Sequence, residues 1–133
     1  MSTRCNVIIR DTKFGELSQL IFYRHSDGYP AGVAETLNEF LDLVKTNRIR
    51  DNVSQAAGWL IMLGNEEYDD ESLASIRANT KGTGIHFKVG AYEPSPQIST
   101  DIEYLYEIDL TAKTLRGWKY DGNKGKEITE EIK

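Results

Sequence analysis

Residues 102–110 place an apolar side chain at every second position, Ile102, Tyr104, Tyr106, Ile108 and Leu110, with Glu103, Glu107 and Asp109 among the residues between them. A period of two sends successive side chains to opposite faces of an extended chain. The segment therefore predicts a strand with one face in a core and the other mostly in water. Residues 111–113 make a short turn into a further strand over residues 114–120, so the two read as a terminal hairpin.

Upstream the period changes. Val33, Leu37, Phe40, Leu41 and Val44 fall on one helical stripe, which predicts a helix over residues 31–46 with Pro30 in its first turn and Ser26 or Asp27 as cap. Asp51 is placed to cap a second helix whose apolar face carries Val53, Ala56, Ala57, Leu60 and Ile61, widened by Trp59 and Met62, with Gly64 ending it in a left-handed turn. Asp69 or Asp70 starts a short third helix carrying Leu73 and Ile76.

Strands are read at residues 5–10 and 17–25 before the helices, and at residues 85–89 after them. The second of these is apolar on both sides until Arg24 and His25, which suggests a central place in the sheet. Pro94 and Pro96 force a loop, and the polar tail from about residue 121 reads as loose or marginally helical. The order ββααβββ, without strand-helix alternation or repeats, predicts a single α+β domain over residues 1–133. Its expected form is a mainly antiparallel sheet of about five strands with two or three helices packed on one face.

At 133 residues, 39% of them hydrophobic, the chain is long enough for one core without disulfides or metal. The net charge of -5 disfavours nucleic acid and anionic membrane surfaces as partners. A single cysteine, Cys5, excludes an intrachain disulfide and a cysteine metal cluster, and fits a reducing cytoplasm. No signal-peptide-like start and no bilayer-length apolar window is seen, so the expected location is the cytoplasm, with no membrane partner. His25 and His86 with scattered acids offer no metal spacing, and no cofactor is expected. The Lys81-Gly82-Thr83-Gly84 stretch lacks the spacing and following helix of a phosphate loop and reads as a connector.

The run Tyr23-Arg24-His25-Ser26-Asp27-Gly28-Tyr29-Pro30 concentrates chemistry where a strand gives way to a helix. Arg24, His25, Asp27 and Tyr29 are the candidate ligand-binding residues: Arg24 for an anion, Asp27 to orient the His25 imidazole. If the protein were an enzyme, His25 would be the general acid or base and Asp27 its partner. The structural alternative has Asp27 capping the helix, Arg24 paired to a carboxylate and His25 bonded within the turn. A second set, Glu66, Glu67, Asp69 and Asp70 with Trp118 and Tyr120, has the residue types of a protein interface.

The opening Ser2-Thr3-Arg4-Cys5-Asn6 and the Tyr23-Arg24-His25, Asp27-Gly28-Tyr29-Pro30 motif resemble a group of short uncharacterised proteins of phages and bacterial genomes. The resemblance is strongest over residues 2–45. It implies an accessory protein in the cytoplasm of a bacterial host and carries no activity with it. A phage-type binding module that engages a host protein or a small anionic, nucleotide-like ligand, in a role such as countering host defence, is the leading expectation. A small hydrolase or phosphotransfer enzyme using His25 and Asp27 is the alternative, and a homo-oligomer paired through edge strands near the terminal hairpin is a third.

Overall fold

A computed structural model describes residues 2–67 and 91–133. Its elements are β1 (Cys5–Asp11), β2 (Ser18–Arg24), α1 (Pro30–Lys45), α2 (Val53–Asn65), β3 (Glu93–Ser95), β4 (Tyr104–Asp109), β5 (Thr114–Tyr120), β6 (Lys124–Glu127) and a 3-10 turn at Thr129–Ile132. Among the described residues the strands form one six-stranded sheet in the order β3-β2-β1-β4-β5-β6. The fold is α+β, as expected. The sheet is mixed, however, because β1 and β4 run parallel while the other pairings are antiparallel. Local patterns could not show this: a parallel pair requires a long crossover, here one that contains both helices.

The register explains the core. Val7 lies opposite Phe22 on one side and Tyr106 on the other, and Tyr106 lies opposite Gly117, so these four form one row on the helix-facing side. Gly117 leaves room there: a Cβ would come within 2.8 Å of both the Tyr106 ring and an Ile128 methyl. Cys5, Val7, Ile9, Phe22, Tyr106 and Ile108 share this core with Val33, Leu37, Phe40 and Val44 of α1 and Ala56 and Leu60 of α2. The outer face is not mostly water as expected. Ile8 and Leu105 are buried there with Ile102, flanked by Ile21, Tyr23, Ile98 and Tyr120. Buried Asn6 holds the covering loop, accepting from the Ser99 amide at 2.7 Å and donating to the Phe22 carbonyl at 3.0 Å.

Several expectations need correction. β2 is not central; β1 and β4 are, and β2 lies between β1 and the short β3. The two prolines do not exclude pairing, since Pro94 sits opposite Phe22 in an edge strand where a missing amide hydrogen is tolerated. The tail is neither loose nor separate: β6 pairs with β5, and Ile128 and Ile132 are buried in the main core. α2 is capped by Asn52, which accepts from the Gln55 amide at 2.9 Å, while Asp51 is drawn away to Lys13 at 2.8 Å. That hydrogen bond from Lys13 holds the Asp51 carboxyl below its usual range. Gly64 lies inside α2, where a Cβ would stand 2.8 Å from the Tyr92 ring; close packing rather than a left-handed turn explains it. The expected strand at 85–89, the short helix after Asp70, and the 81–84 connector lie outside the described residues.

Candidate functional site

β2 ends at the motif that the sequence singled out, and its alternation decides the fate of each side chain. Arg24 shares a face with Phe22 and points under the helices; Tyr23 points to the other face, and His25 lies beside it. Arg24 is only 4% exposed. Its two terminal nitrogens donate to the two Glu67 oxygens at 2.7 Å each, its Nε donates to the Ser26 carbonyl at 2.6 Å, and its guanidinium lies 4.9 Å from the Tyr92 ring centre. Thr36 on α1 donates to the same Glu67 carboxylate at 2.7 Å. Burial works against the charged guanidinium, but the Glu67 hydrogen bonds and charge more than offset it, so its pKa is raised. Each of the three guanidinium nitrogens of Arg24 makes a hydrogen bond, and a ligand anion seeking its bidentate end would have to displace Glu67.

His25 stands apart from this cluster. Its Nδ1 lies 2.9 Å from the Tyr23 hydroxyl and 3.4 Å from the Arg4 Nε, and Arg4 in turn lies 3.5 Å from Asp101. Burial, with the Asp101 charge behind it, pushes the Tyr23 hydroxyl pKa up, so the phenol beside His25 stays protonated. Asp27 does not orient His25. It occupies the left-handed region at φ 57° and has a long contact of 3.4 Å with the Tyr29 hydroxyl. Nor does Asp27 or Ser26 cap α1, because Tyr29 is the N-cap and no side chain bonds the free amides. The turn is held by backbone: the Gly28 amide donates to the Thr3 carbonyl, and the Gly28 carbonyl accepts from Tyr106 at 2.7 Å. The proposed Arg24, His25 and Asp27 pocket is therefore divided between two faces of the sheet and a turn.

The interface candidates also separate. Trp118 is buried on the outer face between the Arg116 guanidinium at 4.8 Å and the Lys124 ammonium at 4.0 Å, and Tyr120 is half-buried beside it. Glu67 is committed to Arg24. Asp69 and Asp70 lie outside the described residues, as does His86. Glu66 remains exposed, at a groove of about 430 Å³ between α1 and α2 that Glu35, Thr36, Glu39 and Leu63 also line.

Glu35 and Glu39 were not singled out in the sequence, although their i, i+4 spacing opposite the apolar stripe of α1 was the available signal. Thr36 was missed as well; a hydroxyl on the apolar stripe between Val33 and Leu37 needs a buried partner. Trp59 and Met62, assigned to the buried face, are 36% and 54% exposed and fall on one stripe of α2 with Glu66.

Comparison with protein-family models, curated proteins and solved structures gives no match, so the chemistry is argued from these residues alone. Among the described residues no group of three or more His, Cys, Asp or Glu side chains is arranged to hold a metal. No described helix is long and apolar enough to cross a membrane.

Proposed function

We propose that this chain is a non-enzymatic binding module, an accessory protein of phage type in a bacterial host, whose α1–α2 face takes a basic segment of a host protein. The observation that carries the reading is a groove lined by three exposed carboxylates, Glu35, Glu39 and Glu66, with the exposed Trp59 and Met62 on the α2 stripe that leads to Glu66. Like charges one helical turn apart repel, so Glu35 and Glu39 gain when a cation comes between them. Aromatic and methionine side chains exposed on the same helix would supply the apolar anchor that charge alone lacks. The hydrolase reading has less support, since the Asp27 carboxylate it assigns as orienter is not hydrogen-bonded to His25, whose Nδ1 meets the neutral Tyr23 hydroxyl instead.

The test is parallel retention of host extract on the immobilised wild-type protein, on Glu35→Lys/Glu39→Lys and on Trp59→Ser. Proteins retained by the wild type should be lost from both variants and eluted by moderate salt, as screened charge contacts are. They should persist on His25→Ala. Retention that both groove variants keep, or that wild type never shows, sinks the reading.

A further inference from the structure

A second groove has the opposite character. It holds about 460 Å³ and lies between the C-terminal half of α1, the start of β5 and the 3-10 turn, lined by Asn38, Leu41, Lys45, Lys113, Thr114, Leu115, Arg116, Thr129, Ile132 and Lys133. In a chain of net charge -5 this lining contains four cationic side chains and no Asp or Glu. The floor is apolar, since Leu41, Leu115 and Ile132 are all buried members of the main core.

The four cations are not equivalent. Arg116 is 2.7 Å from Glu127 and Lys133 is 2.9 Å from Glu130, so both already have a counter-charge. Lys45, in the last turn of α1, and Lys113, in the β4–β5 turn, make no ion pair with any described carboxylate. Asp51 feels the Lys113 charge, but its hydrogen bond is to Lys13. We infer that this groove is a binding site for a small phosphate monoester with an apolar or aromatic body. Two ammonium groups without an ion pair among the described residues match the near double negative charge of such a head group at neutral pH. The body would lie on Leu41, Leu115 and Ile132, in a groove whose volume falls within the range of small-molecule sites. This site shares no charged residue with the acidic α1–α2 groove, so either proposal can fail alone.

Phenyl phosphate and AMP serve as probes, with inorganic phosphate, which has no body, and benzoate, which has one negative charge, as controls. Thermal unfolding of the full chain should rise saturably with phenyl phosphate or AMP, as for any ligand that binds only the folded state. Benzoate and inorganic phosphate should each bind at least about fivefold more weakly, because each lacks one half of the recognition. The variant Lys45→Gln/Lys113→Asn removes both ammonium groups, with asparagine chosen because Lys113 has φ 57°, a conformation that Asn tolerates. It should melt near wild type without ligand and bind phenyl phosphate roughly tenfold more weakly or worse, the loss expected for charge-assisted contacts. The single Lys45→Gln serves if the double variant melts early. A shift that survives loss of both lysines, equal shifts with inorganic phosphate, or no saturable shift with either monoester would overturn the site.

Discussion

Arg24 and Glu67 are unequal halves of their ion pair. The Arg24 side chain is sealed at 4% exposure, whereas that of Glu67 keeps 25% of its surface in reach of water. Removing Glu67 strands a buried cation; removing Arg24 leaves a carboxylate that solvent can still stabilise. Glu67→Ala should therefore cost about 3 kcal/mol, the low end for breaking a buried pair because water can reach one side. Adding Arg24→Met to it should recover much of that loss, since a methionine stem fills the space beside Tyr92 without a charge. Urea midpoints with an unchanged m-value measure both, and a Glu67→Ala variant within about 0.5 kcal/mol of wild type would show that the pair is not structural. The division between Arg24 and His25 was legible in the sequence, because neighbours on a strand point to opposite faces, and the same alternation that identified β2 separates them. The identity of the carboxylate was not legible: Glu67 is 43 positions away, and only the packing of α2 over β2 brings it there.

At the scale of elements, the helices were the most readable parts because each carries its own period. α1 runs over Pro30–Lys45 against an expected 31–46, and β5 matches its expected bounds. β6 escaped notice because Lys124-Gly125-Lys126-Glu127 is an exposed edge with no buried face, so it has no alternation to detect. Its charges also oppose the expected pairing of subunits near the terminal hairpin, as edge lysines commonly do. Two helical glycines test how local and tertiary demands differ. Gly58 lies within α2 with nothing within 4 Å of where a Cβ would stand, so Gly58→Ala should stabilise by roughly 0.5–1 kcal/mol through helix propensity alone. Gly32, in the first turns of α1, has the Asp27 carbonyl oxygen in the space that a Cβ would need. The obstacle is backbone, so Gly32→Ala should cost on the order of 1–3 kcal/mol or more as the strand-to-helix turn is forced open. Thermal melts of the two variants moving in the same direction would contradict this contrast.

On the scale of the whole molecule, the central strands, both helices and the tail meet in one core, and Cys5, Tyr92 and Tyr106, all neutral when protonated, are sealed within it. Cys5 is fully buried, and burial pushes its thiol from 9.0 up to about 12 against the partial relief of the Arg24 charge. Burial likewise raises the hydroxyls of Tyr92 and Tyr106 above their ordinary value of 10.0. All three are neutral when protonated, so the folded state keeps protons that the unfolded chain gives up. The contribution of Cys5 to stability is fully present below pH 9.0 and is lost as pH rises from there toward 12. The tyrosines add the same trend above pH 10.0. Each group steepens the decline by at most about 1.4 kcal/mol per pH unit. Melting temperature should therefore be nearly level from neutrality to pH 9.0 and fall beyond it. Cys5→Ala removes the first group and leaves the tyrosines, so its stability should start lower, from the lost packing, but decline less between pH 9.0 and 10.0. An equal slope for the two proteins over that interval would mean that the thiol ionises without unfolding the chain, and that the seal around Cys5 opens more readily than its packing implies.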